Sequence, residues 1–216
     1  MSTLLQVALD LIELEKAVTI AKQAVKAGAD IIEAGTPLIK SEGMRAVKTL
    51  RNTFREKTIV ADMKTMDVGW LEAELAISSG ANIVTVMALA PVETIISAVE
   101  KAHELGGEVM VDLMNVNEPL KKCLELKRLG VDYVCLHVGI DVQRKLKVTV
   151  ADLADKAFQI KSETGLKVAV AGGINEKTAR IFAGKVNIII VGGAIIKSKN
   201  PYEATLKILK SLGRTA

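Results

Sequence analysis

Two textures alternate along this chain from end to end. Short apolar runs closed by a polar residue or glycine read as buried β-strands. Longer stretches with apolar residues three and four apart read as amphipathic helices. Leu4–Asp10 is the first predicted strand and Glu13–Ala27 the first helix. Ile31–Gly35 is the second strand, and a turn at Thr36-Pro37 leads to a helix over Ser41–Thr53. Predicted strands at Thr58–Met63, Asn82–Met87, Glu108–Leu113 and Asp132–His137 are followed by helices at Trp70–Ser79, Val92–Leu105, Pro119–Leu129 and Val150–Thr164. Lys167–Ala171, a helix from Glu176, Asn187–Val191 and a last helix from Tyr202 complete the series. One joint recurs. Ala27-Gly28-Ala29-Asp30, Ser79-Gly80-Ala81-Asn82 and Leu129-Gly130-Val131-Asp132 each close a helix with glycine and open a strand.

Strands alternating with helices imply parallel pairing and right-handed crossovers. Eight such units predict one α/β domain over residues 1–216, a single (β/α)₈ TIM barrel. A doubly wound open sheet is the alternative, but nothing in the order of elements suggests a reversal of strand order.

Composition fits this picture. Half of the 216 residues are hydrophobic but only 3% are aromatic, so the core must be aliphatic, as suits parallel strands covered on both faces. The same shortage argues against a stacking platform for single-stranded nucleic acid. The net charge of +4 is modest, and the basic residues are scattered, which favours a solvated surface biased towards anionic small molecules over nucleic acid. Cys123 and Cys135 lack metal-ligand spacing and read as buried, inert thiols. No signal peptide is visible, and no apolar run approaches the roughly 20 residues of a membrane span. A cytoplasmic protein without a membrane partner is expected.

The chemistry gathers at strand ends. In Ile59-Val60-Ala61-Asp62-Met63-Lys64-Thr65-Met66-Asp67 an apolar strand runs into two carboxylates and an ammonium. Side chains alternate along a strand, which puts Asp62 and Lys64 on one face. An ordinary ion pair is one reading of that Asp and Lys, but Asp67 adds a third ionisable group, costly to bury unless something charged binds. Barrel active sites lie at the C-terminal ends of the strands. Those ends carry Asp10, Glu33, Asp62 with Lys64, Asp112 and His137, then glycine pairs at Gly172-Gly173 and Gly192-Gly193. Glycine lets backbone N–H groups approach an anion, and the loops after strands seven and eight commonly hold phosphate. Two tight turns needing positive φ are the plainer alternative. Glu33 and Asp62, on adjacent strands, suit Mg²⁺ with substrate oxygens completing its shell, or else simple hydrogen bonding to Lys64. His137 opposite acids reads as a general base, whereas His103, in a helix beside Glu104, reads as solvated.

Together these residues resemble the orotidine 5′-monophosphate decarboxylase superfamily, marked by D-x-K-x-x-D after the third strand. Within it they are most similar to the 3-hexulose-6-phosphate synthase family. The resemblance covers nearly the whole chain: Leu5–Asp10, Ile31–Leu38, Ala61–Asp67, Val109–Leu113, His137–Gln143 and both glycine pairs. The sister 3-keto-L-gulonate 6-phosphate decarboxylases have Glu after the fifth strand, arginines after the histidine and Gly-Arg after strand eight. Here those places hold Asp112, Val138 and Ile140, and Gly192-Gly193. Arg144-Lys145-Leu146-Lys147 departs from the small residues usual in the family, and Ala88 replaces a frequent glycine.

The resemblance implies an aldehyde-lyase that reversibly joins formaldehyde to D-ribulose 5-phosphate through an enediolate. On that reading Gly173, Gly192 and Gly193 anchor phosphate. Mg²⁺, with Mn²⁺ as a possible substitute, sits on Glu33 and Asp62. Lys64 supports the developing oxyanion, His137 removes the C1 proton, and Asp112 and Asp10 hold sugar hydroxyls or Lys64. The family also implies that Asp67 reaches into a neighbouring subunit's site, hence a homodimer with shared active sites. A sugar-phosphate decarboxylase of the same superfamily is the alternative activity.

Overall fold

The computed structural model describes residues 2–139 and 150–214. Ile140-Asp141-Val142-Gln143, the end of the sixth-strand motif, and Arg144-Lys145-Leu146-Lys147 lie outside the described residues. Eight parallel strands close into a barrel in sequence order, β1 pairing with β8. They are β1 (Leu4–Leu9), β2 (Ile31–Ala34), β3 (Thr58–Thr65), β4 (Ile83–Met87), β5 (Glu108–Asp112), β6 (Tyr133–His137), β7 (Lys167–Ala171) and β8 (Ile188–Val191). The expected TIM-barrel class is therefore the one observed.

Two apolar zones hold it together. Ala8, Ile31, Val60, Ile83, Met110 and Ile188 fill the barrel interior. Outward strand residues such as Leu5, Ile32, Ile59 and Val109 pack against the apolar stripes of the surrounding helices. Both cysteines are buried; Cys123 faces the outer zone and Cys135 the barrel interior. Among the described residues no helix is long and apolar enough to cross a membrane.

Helices α1 (Leu14–Lys26), α4 (Gly69–Ser78), α5 (Val92–Glu104), α6 (Pro119–Arg128) and α7 (Val150–Thr164) follow their predicted spans within a residue or so at each end. Three segments depart from expectation. The chain is already helical at Thr36, with Pro37 in the first turn, where its missing N–H costs nothing. Gly43 (φ 60°) then breaks the expected single helix into α2 (Thr36–Glu42) and α3 (Met44–Thr53). After β7 the predicted helix is only a 3₁₀ turn, Ala179–Phe182. The Asn175 side chain accepts from Lys177 N while the Thr178 hydroxyl accepts from Asn175 N, giving the backbone local partners that compete with a helix. Last, β8 leads into a short helix, α8 (Gly193–Ile196), before α9 (Pro201–Ser211).

The recurring joint proves to be a clamp. Asp30 accepts from Leu5 N (2.8 Å), Asn82 from Ile59 N (2.9 Å), Asp132 from Val109 N (2.8 Å) and Asn187 from Val168 N (3.0 Å). Each residue before an even-numbered strand thus ties down the start of the preceding odd-numbered one. Three of the four also bind a basic side chain: Arg214 on Asp30, Arg51 on Asn82 and His103 on Asp132. His103 is exposed, as expected, and its Nε2 also lies 2.9 Å from the Asp132 carboxylate. Gly80 belongs to the same device. At φ 101° it lies against Arg51, and a Cβ there would come within 2.6 Å of Arg51 Cγ. Replacing Asn187 with alanine should lower stability by about 1–3 kcal/mol by orphaning a partly buried N–H. Asn82→Ala should cost more, because Arg51 also loses one of its acceptors. Urea unfolding monitored by circular dichroism would measure both.

Candidate active site

Strand β3 sets the geometry. Its pairing with β4 shifts register, Ala61 opposite Val84 but Thr65 opposite Val86, so extra residues are accommodated between them. Within this bulge Lys64 takes a left-handed conformation (φ 49°), uncommon for a side chain with a Cβ. Simple alternation assumed a regular strand here. The bulge instead turns Lys64 across the mouth, where Nζ lies 2.6 Å from Asp112 Oδ2 on β5 and 3.3 Å from Asp62 Oδ2. The same oxygen of Asp112 meets His137 Nδ1 at 2.8 Å, and its other oxygen accepts from Met114 N at 2.9 Å. With Nδ1 directed to the carboxylate, Nε2 is the imidazole nitrogen left for a substrate proton.

Asp62 is held on both oxygens. The Thr36 hydroxyl donates to Oδ2 and the Thr85 hydroxyl to Oδ1, each at 2.7 Å. Thr85 in turn accepts the backbone N–H of Lys64 at 3.0 Å, fixing the bulge. Glu33 is buried and accepts from Gln6 Nε2 at 2.5 Å. Asp10 occupies the space beside Gly35 and Gly192. A Cβ on Gly35 would collide with Asp10 and with the carbonyl of Leu9, so glycine is required where these strand ends converge.

Charge is unevenly shared. Burial and the neighbouring Asp62 and Asp10 push the Glu33 carboxyl well above its ordinary range. Asp10 is raised by its surroundings and by Asp62. Burial acts against the Lys64 ammonium, yet Asp62 and Asp112 outweigh it and strengthen its hold on its proton. Burial also opposes the Asp112 carboxylate, but the His137 hydrogen bond and the charges of His137 and Lys64 bring it down to about 2.

Asp10, Glu33, Asp62, Lys64, Asp112 and His137 line one cavity of about 800 Å³ together with Gly173, Gly192 and Gly193. Gly172 and Gly173 both have positive φ, 114° and 69°, and a Cβ on Gly193 would meet open space. Asp67 is the exception. It is exposed, its carboxylate caps Val68 N, and it is not among the residues lining its own chain's cavity. Gln6, Thr36, Thr85 and Asn175 also line the cavity, although the sequence reading did not single them out. The signal for Thr36 and Thr85 was their place just after β2 and within β4, the strands flanking β3. A hydroxyl within a strand or at the start of a helix is too common to have carried that inference alone.

The family described as orotidine 5′-phosphate decarboxylase / HUMPS matches residues 3–208. The chain belongs to that family. Among members of the orotidine 5′-phosphate decarboxylase / HUMPS family, it is 36% identical to a 3-hexulose-6-phosphate synthase of Bacillus subtilis over 205 residues, 94% of this chain and 96% of that one. A crystal structure of 3-hexulose-6-phosphate synthase from Salmonella typhimurium superposes with a TM-score of 0.90 at 33% identity, covering 98% of each chain. A 3-keto-L-gulonate-6-phosphate decarboxylase from Vibrio cholerae gives 0.86 at 29% identity, covering 99% of this chain and 98% of that one.

The Asp112 pair predicts a pH signature. Because its carboxyl is depressed in the folded state to about 2, its contribution is complete above the unfolded value near 4 and disappears as pH falls through about 2. The stability gap between the parent and Asp112→Asn should therefore narrow by about 2 kcal/mol between pH 5 and pH 2. Urea unfolding at each pH would reveal it.

Proposed function

We propose that this chain is a 3-hexulose-6-phosphate synthase, an aldehyde-lyase that condenses formaldehyde with D-ribulose 5-phosphate to D-arabino-hex-3-ulose 6-phosphate. The observation carrying this reading is the single Asp112 oxygen that holds both Lys64 and His137 at the cavity mouth, in a chain whose relatives include synthases of that name. Asp112 keeps His137 Nδ1 protonated and oriented, so that Nε2 can accept the C1 proton of the ketose. Lys64 places a fixed positive charge beside the oxygen that becomes an enediolate. The C1 carbon then attacks formaldehyde, forming the carbon–carbon bond, and the proton held by His137 returns to the new alkoxide. The phosphate lies against the backbone N–H groups of Gly173, Gly192 and Gly193, with Asp10 left to hold a sugar hydroxyl.

Glu33 and Asp62 fit a divalent cation. Both are buried acids on one cavity, and their mutual repulsion disfavours ionised Glu33, a cost that a cation would offset. Mg²⁺, or Mn²⁺ in its place, would hold these carboxylates and supply Lewis-acid stabilisation of negative charge developing on the sugar.

The same reading makes the protein a homodimer with shared active sites. Asp67, outside its own cavity, stands among exposed Met66, Val68 and Trp70, and is available to a second copy of the chain.

With ribulose 5-phosphate, formaldehyde and Mg²⁺, the purified protein should consume formaldehyde, and a chelator should stop it. Lys64→Ala and His137→Ala should each lose at least about 100-fold in rate. Carbon dioxide release from 3-keto-L-gulonate 6-phosphate without formaldehyde consumption would shift the assignment to the sister decarboxylase. The shared site has its own test. Lys64→Ala and Asp67→Ala, each inactive, should recover about a quarter of parental activity when co-refolded in equal amounts, because half the dimers are hybrids with one intact site. Continued silence of the mixture would place Asp67 outside the neighbouring site.

A further inference from the structure

Among the described residues, one buried side-chain polar atom has no hydrogen-bond partner: Oε1 of Gln6. Gln6 lies on β1 with 1% of its surface exposed, and its side chain enters the barrel and lines the cavity. Its Nε2 donates to Glu33 Oε2 at 2.5 Å. With Glu33 ionised, the form a bound cation requires, reversing the amide would set its oxygen against a carboxylate oxygen, so the donor end is committed to Glu33 and the acceptor end is left over. The residues in register with Gln6 on either side are Ile31 and Ile190, whose side chains can donate nothing to it. Val60, Ile83 and Met110, also in the barrel interior, are apolar. A buried acceptor among aliphatic neighbours is costly unless a ligand completes it.

We propose that Gln6 is a positioning residue for the reacting end of the site. Its amide nitrogen fixes the Glu33 carboxylate, and its free oxygen accepts a hydrogen bond from an O–H group bound beside Glu33. Two sources share that chemistry: a water ligated to a divalent cation on Glu33 and Asp62, or a hydroxyl of the sugar phosphate. The inference rests on the metal-assisted sugar-phosphate reading above and deepens it. It assigns to a residue outside the ionic cluster the task of keeping Glu33 in place while the ligand binds.

The test uses Gln6→Met, close in length but without polar atoms, and Gln6→Asn, whose shorter amide cannot reach Glu33 while serving the cavity. Three readouts are taken on the full chain: Mn²⁺ binding by electron paramagnetic resonance without substrate, ribulose 5-phosphate binding by calorimetry, and thermal unfolding. In Gln6→Met the melting temperature should stay close to the parent's, since loss of the orphaned acceptor offsets loss of the donor to buried Glu33. Mn²⁺ should bind about 10–100-fold more weakly, and Gln6→Asn should share the loss. Unchanged Mn²⁺ affinity with ribulose 5-phosphate bound about tenfold more weakly would identify the donor as a sugar hydroxyl and leave the positioning role standing. Parental affinity for both ligands would overturn the proposal, whether or not the melting temperature falls. If the parent binds no Mn²⁺, the metal reading fails by itself and the ribulose 5-phosphate titration alone decides the role of Gln6. A parent that binds neither ligand would remove both.

Discussion

A single carboxylate oxygen on β5 accepts from an ammonium on β3 and an imidazole on β6. Removing it would leave Lys64 beside Asp62 alone and free the His137 ring to turn. Its presence ties three strand ends into one rigid unit and fixes which imidazole nitrogen faces the cavity. The acids still outnumber the bases there: Asp10, Glu33, Asp62 and Asp112 face Lys64 and His137. That excess lies on β1 to β5, while β7 and β8 contribute backbone and glycine. The cavity is therefore polarised, with an acidic wall suited to cations and sugar hydroxyls and an N–H-rich wall suited to an anion. A phosphorylated polyhydroxy substrate matches both walls at once.

The barrel was legible in the sequence because its strands are buried on both faces and read as continuous apolar runs. The errors fell where local side-chain hydrogen bonding or one glycine overrode periodicity. Asn175 and Thr178 gave the chain after β7 partners of its own, and Gly43 broke a helix whose apolar pattern continues across it. The three recurring joints were visible as a motif. The fourth, Lys185-Val186-Asn187, lacks the glycine immediately before the apolar residue and so escaped the pattern, although its asparagine makes the same bond.

The site was legible to a different depth. Charged residues at strand ends are conspicuous because burial there is expensive, so the cluster from Asp10 to His137 stood out. The bulge that aims Lys64 did not, since nothing in Asp62-Met63-Lys64-Thr65 announces a left-handed lysine. Thr36, Thr85 and Gln6 were hidden for another reason. Uncharged polar residues on strands and at helix starts are common, and their meaning lies in which atom they face, a property of tertiary register rather than of spacing. Asp67 was conspicuous by sequence, yet it is exposed and does not line its own chain's cavity.

The four clamps under the barrel have a consequence for descent and recombination. Arg51, His103 and Arg214 each come from the segment before an odd-numbered strand, counting cyclically, and each meets the acid or amide that opens the next even-numbered one. Helix, strand, helix and strand thus form a cassette with its own fastening. Exchanging the stretch between Gly43 and Pro91 would cut between cassettes and leave every such fastening within one parent, Arg51–Asn82 in the exchanged piece and His103–Asp132 and Arg214–Asp30 in the rest. The mouth, assembled from all four cassettes, would be dealt afresh: chimeras of related barrels could exchange chemistry at the top while inheriting a sound base.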